Sequence, residues 1–574
     1  MFLFFFSFFF LFLFIIVKEY RFYDSSKATY VLLLTFRSLR VPSMASYFSN
    51  VTMVKHAWSQ SDVATYLQQV RENPKALIWL VLAAYATYWA FTIIYNLTLH
   101  PLAHFPGPFF CRISNLPQCY YEAILNGQFM PEIDKYHEKY GPIVRINPNE
   151  VHIKDSSMYH AVYKNPAFTK DPGSYALGVS QGMAFTISID QHKEKRKTLN
   201  PCFSKLCVSN MEDTLYNELG KVISKIKEYE RKGEQVPIAE LLYCYTADII
   251  SSHFLGQNLN LIAAPNFIER SAEMQSFTKG IWMAVHFSFI RYILVATPRW
   301  MLAYLSGTFV DVIWFVERLA QAAIKKFDLE KALQKKAYEE TIFDRMLCDN
   351  ARREEKGRKA RPLNFRELAD EGTGILNAGT EPSAIMLCYA TYFFSLFPHV
   401  QKPLLDELAS VELQDGRLPL RKLEALPYLT GFIKESLRYM PLIPGRLPRV
   451  VPNGGLYVPA VNKTIPEGCV VGLSQLHISF DPEVFPSPHE FKPERWFAES
   501  GKDLDHWVLA FSKGRTDCIG KTLAYAEMYL VLANLFTGFD MELAPGSRKG
   551  MEWVDRVVAH SKQNLRILVK SRTA

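Results

Sequence analysis

Phe511-Ser-Lys-Gly514-Arg-Thr-Asp-Cys518-Ile-Gly520 runs directly into Lys521-Thr-Leu-Ala-Tyr-Ala-Glu-Met-Tyr-Leu-Val-Leu-Ala-Asn-Leu-Phe536. The second stretch lacks glycine and proline and is rich in Leu and Ala, which predicts a helix. Glycines at 514 and 520 permit tight turns and the close approach of a flat ligand. Cys518 falls just before the helix N-terminus, where the helix dipole and unpaired N–H groups favour a thiolate. A thiolate held under such a loop suits the axial position of a haem iron; the competing reading is a buried structural cysteine. Two superficial likenesses fall away. Gly514 to Gly520 encloses five residues where a phosphate-binding loop needs four, and the dinucleotide-like Gly372-Thr-Gly374 has Asn377 at the third glycine position. His-Glu-x-x-His is absent.

The remainder of the chain narrows the class. Of 574 residues, 49% are hydrophobic, 14% aromatic and 21% charged, which excludes a disordered chain. Charges are mixed through most of it, which excludes a polytopic membrane protein. Lys+Arg exceed Asp+Glu by 65 to 57, too mild and too scattered a surplus for a nucleic-acid stripe. The nine cysteines contain no Cys-x-x-Cys, so neither a zinc ribbon nor a disulfide framework is indicated, and a reducing compartment fits.

The length alone suggests several domains, yet beyond residue 111 there is no Gly-, Ser- or Pro-rich linker and no repeat. The sequence therefore predicts one large, mainly α unit with small β-sheets, the latter from alternating runs at 143–153 and 454–465. The apolar excess gathers at the front. Residues 1–17 are almost wholly Phe, Leu and Ile, readable as a signal-like or short anchoring segment, or as untranslated sequence upstream of Met44 or Met53. Residues 76–95 carry no charge over about one bilayer thickness of helix and read as a transmembrane anchor rather than a core helix. Three prolines in 100–108 then make a stiff knee. The expected organisation is an extension over 1–75, an anchor over 76–99, a knee over 100–110 and a catalytic domain over 111–574.

Further motifs follow in order. Glu435-Ser-Leu-Arg438 sits in a helical run over 428–440. Pro441-Leu-Ile-Pro444-Gly-Arg446-Leu-Pro448-Arg449-Val-Val-Pro452 comes next, then Phe491-Lys-Pro493-Glu494-Arg495-Trp496, then the Cys518 loop. This ordered set resembles the cytochrome P-450 family of haem-thiolate monooxygenases, and within it the membrane-anchored fungal members of secondary metabolism.

The resemblance implies a single haem-thiolate fold and haem b as cofactor, with Cys518 as the iron ligand. It implies a buried bracing network of Glu435, Arg438 and Arg495. Cofactor contacts would come from His192, Arg196, Arg449, Phe511, Gly514, Arg515 and Gly520; a guanidinium suits a propionate by charge and geometry. The oxygen-activating helix corresponds to Ala378-Gly379-Thr380-Glu381-Pro382-Ser383, and Gly374, Ala378, Ile443, Leu447 and parts of 281–315 are the expected substrate pocket.

Two departures stand out. The family's threonine is Pro382, which has neither hydroxyl nor N–H and should kink the helix and free the Ala378 carbonyl; Thr380, Ser383 or a water would then substitute, with Glu381 supplying protons. The arginine usually two before the cysteine is Thr516, with Arg515 one place earlier, which puts one propionate contact in question.

The resemblance also implies dioxygen and electrons from NADPH through a separate flavin-containing cytochrome P-450 reductase, with cytochrome b5 as a second donor. Lys513, Arg515 and Lys521 are candidate docking cations. It places the chain in the endoplasmic reticulum membrane, single-pass by 76–95, with the catalytic domain cytosolic. Two rival functions remain: a haem-thiolate isomerase or dehydratase that needs no dioxygen, and a non-catalytic haem-binding scaffold.

Overall fold

The computed structural model describes residues 74–175, 181–279, 281–287, 297, 301, 307–336, 339–355, 363–497, 504–547 and 551–572. The apolar 1–17 stretch and most of 288–306 lie outside them. The chain divides into two compact units, Met1–Phe91 and Thr92–Ala574.

Helix α1, Pro74–Thr98, forms over the expected anchor. Its 25 residues would extend about 37 Å. Among the described residues, however, no single helix is long and apolar enough to cross a membrane. Its last turn belongs to the larger unit: Arg145, fully buried, donates from Nη1 to the Asn96 carbonyl at 2.7 Å. The proline knee is packed rather than free. Leu102 and Phe105 are buried, and a Cβ on Gly107 would lie 2.2 Å from the Arg145 carbonyl oxygen.

The larger unit is mainly helical with small sheets. Strands β1 (Ile143–Asn147) and β2 (Glu150–Ile153) are antiparallel, with Ile143 opposite Ile153. They join β3 (Thr169–Lys170), β4 (Arg449–Val450) and β5 (Val470–Gly472) in the order β1-β2-β5-β4-β3. The polar alternates of β1 and β2 are buried as well, so each needs a partner. Arg145 finds backbone carbonyls and Asn147 finds Glu150.

Helices α2 (Ile189–Leu199), α3 (Glu212–Lys232), α4 (Ile238–Ile249), α5 (Phe365–Leu396), α6 (Pro427–Tyr439) and α7 (Lys521–Gly538) carry the core and the site. Most of α5 is buried. Asn364 caps it by accepting the Glu367 N–H at 2.8 Å, and it continues through Pro382 as one helix. Phe394 of α5 stacks on Phe536 of α7 with ring centres 3.9 Å apart. Just past α4 the approach is close: a Cβ on Gly379 would stand 2.5 Å from the Ile250 side-chain methyl, so a larger residue there displaces the Ile250 side chain. At the C-terminus, β6 (Phe539–Leu543) pairs with β9 (Ile567–Ser571). Strands β7 (Trp553–Arg556) and β8 (Val558–Ser561) form a hairpin whose turn holds Val557 at φ +74°. A β-branched residue in that region is strained, and the Asp555 side chain steadies the turn by accepting the Val557 N–H at 2.8 Å.

Candidate active site

The cysteines separate themselves. Seven are buried, Cys119 is partly so, and Cys518 is exposed. Burial pushes the thiols of Cys111 and Cys469 up to about 11 and Cys202 up to about 12. Cys518 is open on one side and crowded on the others. The crowding raises its pKa, opposed by the Gly520 N–H and by Arg196 and Lys521. Its own N–H donates to the Phe511 carbonyl at 2.8 Å, which closes the loop. Gly514 is required there: its φ is +79°, and a Cβ would stand 2.3 Å from the Tyr163 carbonyl oxygen. At Gly520 a Cβ would meet only the Cys518 sulfur, at 3.9 Å, so the space beside the thiol is otherwise open.

Around this loop lie more cations than anions. Arg449 is buried between the rings of Tyr163 and Tyr175 and donates to the Tyr175 hydroxyl at 2.8 Å and to Thr516 Oγ1 at 3.4 Å. Arg196 donates to the Asp517 carboxylate and carbonyl, both at 2.6 Å. Arg515 folds back onto the Pro166 and Phe168 carbonyls. Lys170, buried on β3, is driven down to about 7 by burial and by Arg449, Arg515 and Arg196. His192 is lowered to about 4 by burial and then by Lys170, Arg515, Arg196 and Arg449. Asp517 and Glu371 are the anions close to this group. A flat dianionic group would fit here: Arg449, Arg196 and Arg515 would hold its two carboxylates, and Cys518 would ligate its metal.

Arg515 therefore turns inward to the cation group, unlike a docking residue. Lys513 reaches the Asp505 carbonyl at 3.3 Å, and Lys521 lies over the Phe511 and Tyr525 rings.

Glu435 and Arg438 share a face of α6, and the Arg495 turn lies against it. The Glu435 carboxylate is fully buried. It accepts from Arg438 at 2.7 and 3.0 Å, from Arg495 at 3.1 Å, from the Lys492 N–H at 2.9 Å and from the Trp496 indole at 2.9 Å. Arg438 completes its fork on the Ser479, Pro488 and Glu490 carbonyls. Every lone pair and proton has a partner, the condition under which buried charges persist.

Helix α5 has an open face of its own. Its residues 374, 378 and 382 recur every fourth position and share one face. A Cβ on Gly374 meets nothing within 4 Å, Ala378 is exposed and Pro382 is half-buried, so this face of a buried helix looks onto open space. It carries no hydroxyl. Thr380 points elsewhere: its Oγ1 is buried with no hydrogen bond, and its carbonyl accepts from Thr246 of α4 at 3.0 Å. Ser383 is near Glu527 of α7, whose two carboxylate oxygens are buried without a completed hydrogen bond and whose pKa burial raises to about 8. Glu381 pairs with His560 of β8 at 2.9 Å.

Ile443 and Leu447 are half-buried; their carbonyls accept from Gln475 and Tyr163. Between them Arg446 turns to Glu122 and Glu150 at 2.8 and 2.5 Å. Asp555 packs on Gly445, and burial raises it to about 7.

Sequence reasoning missed Lys170, Tyr175, Asp555, Glu527 and His560. Glu527 and Tyr175 had no distinguishing neighbours. The charge of Lys170 and the imidazole of His560 were unremarkable until the fold placed them on a site drawn from distant segments.

The cytochrome P450 family model matches residues 106–567. The chain is 31% identical to the cytochrome P450 monooxygenase TRI4 of Trichoderma arundinaceum over 85% of its own length and 94% of that protein's. It is 30% identical to the cytochrome P450 monooxygenase BOT1 of Botryotinia fuckeliana, over 87% and 97% of the two chains. Against the cytochrome P450 monooxygenase aneF of Aspergillus aculeatus identity is 30%, over 81% and 94%.

Proposed function

The chain belongs to the cytochrome P450 family, and from that premise we propose that it hydroxylates or otherwise oxidises a hydrophobic secondary metabolite of terpenoid, polyketide or alkaloid type. It is a haem-thiolate monooxygenase, with electrons delivered by a separate reductase. The haem, when bound, activates dioxygen; the thiolate donates electron density that favours O–O cleavage.

The observation that carries the reading is the one exposed cysteine, set in a loop surrounded by cations, beside which the 374–378–382 face of α5 supplies an open, apolar surface for substrate. In this reading Cys518 ligates the iron. Arg449, Arg196, Arg515, Lys170 and His192 hold the propionates, in place of the arginine lost at 516. Phe511, Gly514 and Gly520 shape the loop. Gly374, Ala378, Ile443 and Leu447 face substrate and exclude water, while Glu381 supplies protons. Gly379 serves the fit of α5 against Ile250. The segment 76–95 anchors the enzyme in the endoplasmic reticulum with the catalytic domain cytosolic, supported by its freedom from charge and by exposed Phe109, Phe110, Leu116 and Tyr120 on the larger unit. Lys513 and Lys521 dock the reductase, and cytochrome b5 is a second donor.

The test is co-expression with a reductase in a host that makes the scaffold of the neighbouring pathway, with identification of the product. A ferrous–CO band at the thiolate position, lost in Cys518→Ala, and an oxygenated product are expected. Turnover of a peroxide substrate without NADPH or reductase would favour the isomerase reading, which the hydroxyl-free face at Pro382 motivates. A thiolate band without any product would favour the scaffold.

A further inference from the structure

Each turnover inserts one oxygen atom into a C–H bond and releases the other as water, consuming two electrons and two protons. The electrons come from NADPH through the reductase. The protons come from solvent and must reach the open face of α5, which has no hydroxyl to pass them.

We propose that the Glu381–His560 pair, fed from a cleft beside the C-terminal hairpin and handing on to a water held by the Ala378 carbonyl, is the proton route to that face. The proposal rests on the reading of Glu381 as proton source and adds its supply and its outlet.

Three observations carry it. The Glu381 carboxylate and the His560 Nε2 lie 2.9 Å apart, and each side chain is only 7% exposed. Both line one cleft together with Tyr243, Gln275, Gln563 and Asn564. Gln563 and Asn564 are exposed at its edge, while Ala384, Ile385, Met551 and Leu565 make the rest of its lining largely apolar, so solvent reaches the buried pair along the polar side of a mixed cleft. At the other end, Pro382 has no N–H for the Ala378 carbonyl, and a carbonyl freed in this way holds a water in the helix ladder. Ala378 and Glu381 are i,i+3 neighbours, about 5–6 Å apart at Cβ. The residue that removes the family's hydroxyl thus opens an acceptor beside the acid.

Among the charged and titratable groups facing the pair are Tyr243 of α4 and Arg556 of β7, and Cys388 and Tyr389 of α5 line the same cleft. Glu240 and Arg566, paired at 3.1 Å, adjoin Asn564 at the mouth. Glu381 belongs to α5 itself and lines the cleft, so it joins the two.

The competing account is a clasp that merely fastens the hairpin to α5. The two differ in proton movement. The probe is dioxygen and NADPH alone, with the full-length chain, its haem and saturating reductase. Removing a placed proton donor costs about 10²-fold at the low end. His560→Gln, which keeps a side-chain donor, is therefore expected to slow dioxygen consumption by about 10²-fold and to raise the solvent deuterium effect. Pro382→Ala, which returns the N–H, should move both in the same direction. The rate of first-electron reduction and the ferrous–CO band should stay unchanged. Independently of turnover, the Glu381 carboxylate stretch, assigned by Glu381→Gln, should shift in D2O within mixing in the resting wild type, as the proton it shares with His560 exchanges, and slowly in His560→Gln.

Wild-type consumption and isotope effect in His560→Gln would overturn the route. So would slow Glu381 exchange in the wild type, a result that holds even if His560→Gln fails to fold. If Glu381→Gln is impaired while His560→Gln is not, only the route falls. If Glu381→Gln is also unimpaired, the assignment of Glu381 as proton source falls with it.

Discussion

Glu435 and Glu527 are both buried carboxylates, and their surroundings give them opposite behaviour. Glu435 accepts from two guanidinium groups, an indole and a backbone N–H. Replacing it by alanine strands two arginines in the interior, a change that costs about 3–5 kcal/mol. Glu435→Ala should therefore yield little folded protein, read as loss of the ferrous–CO band and a collapsed thermal midpoint. Glu527 has no such partners, and burial lifts it from an ordinary 4.5 to about 8. Between those values the folded chain holds a proton that the unfolded chain has released. Its contribution is thus complete below pH 4.5 and is lost as the pH rises to about 8, at roughly 1.4 kcal/mol per pH unit. Glu527→Gln should flatten that part of the stability curve and unfold later than wild type at pH 8, measured by denaturant titration across the range. An unchanged slope would mean that Glu527 is ionised and paired in the folded protein.

At the scale of elements, α5 is where local sequence and tertiary packing meet. Gly379 lies under Ile250, in the π-turn after α4, and a methyl group there needs the Ile250 side chain to move. Overpacking of this kind costs about 1–3 kcal/mol. Gly379→Ala should lower the thermal midpoint accordingly, and Ile250→Ala in the same chain should recover part of the loss, as contacting sites couple. A wild-type midpoint in the single variant would show that the helices part freely. Legibility follows the same division. The turn glycines of the cysteine loop, the i,i+3 spacing of Glu435 and Arg438 and the proline within α5 are local facts, readable from a few neighbouring residues. The sheet is less so: β2 beside β5 joins residues some 320 apart, with Val151 opposite Val471. The least legible features are those that depend on which distant segment arrives at a given face. Arg515 reads equally as a cofactor contact and as a docking cation until Phe168 is placed beside it, and Ser383 reads as a hydroxyl for the oxygen face until the helix phase turns it toward α7.

For the whole molecule the question is where the catalytic unit begins. The compact unit starts at Thr92, inside α1, and Arg145 ties the end of that helix to it. Its guanidinium is fully buried, and one of its nitrogens has the Asn96 carbonyl as acceptor. Leaving a buried charged donor unpaired costs more than the roughly 1–3 kcal/mol of a neutral group. Two truncations should therefore behave differently. A chain starting at Thr92 keeps the Asn96 carbonyl and should retain a full ferrous–CO band; under the proposed anchoring by α1 it should also pass from the carbonate-resistant membrane pellet to the extractable fraction. Its exposed Phe109, Phe110, Leu116 and Tyr120 should still bind lipid vesicles, now reversibly, as a shallow apolar patch does. A chain starting at Leu99 loses the acceptor and should melt measurably earlier than the Thr92 form, with part of its thiolate band gone. Equal melting of the two would show that water replaces the Asn96 carbonyl. Carbonate resistance in the Thr92 form would mean that the patch on the catalytic unit, rather than α1, is what holds the enzyme in the membrane.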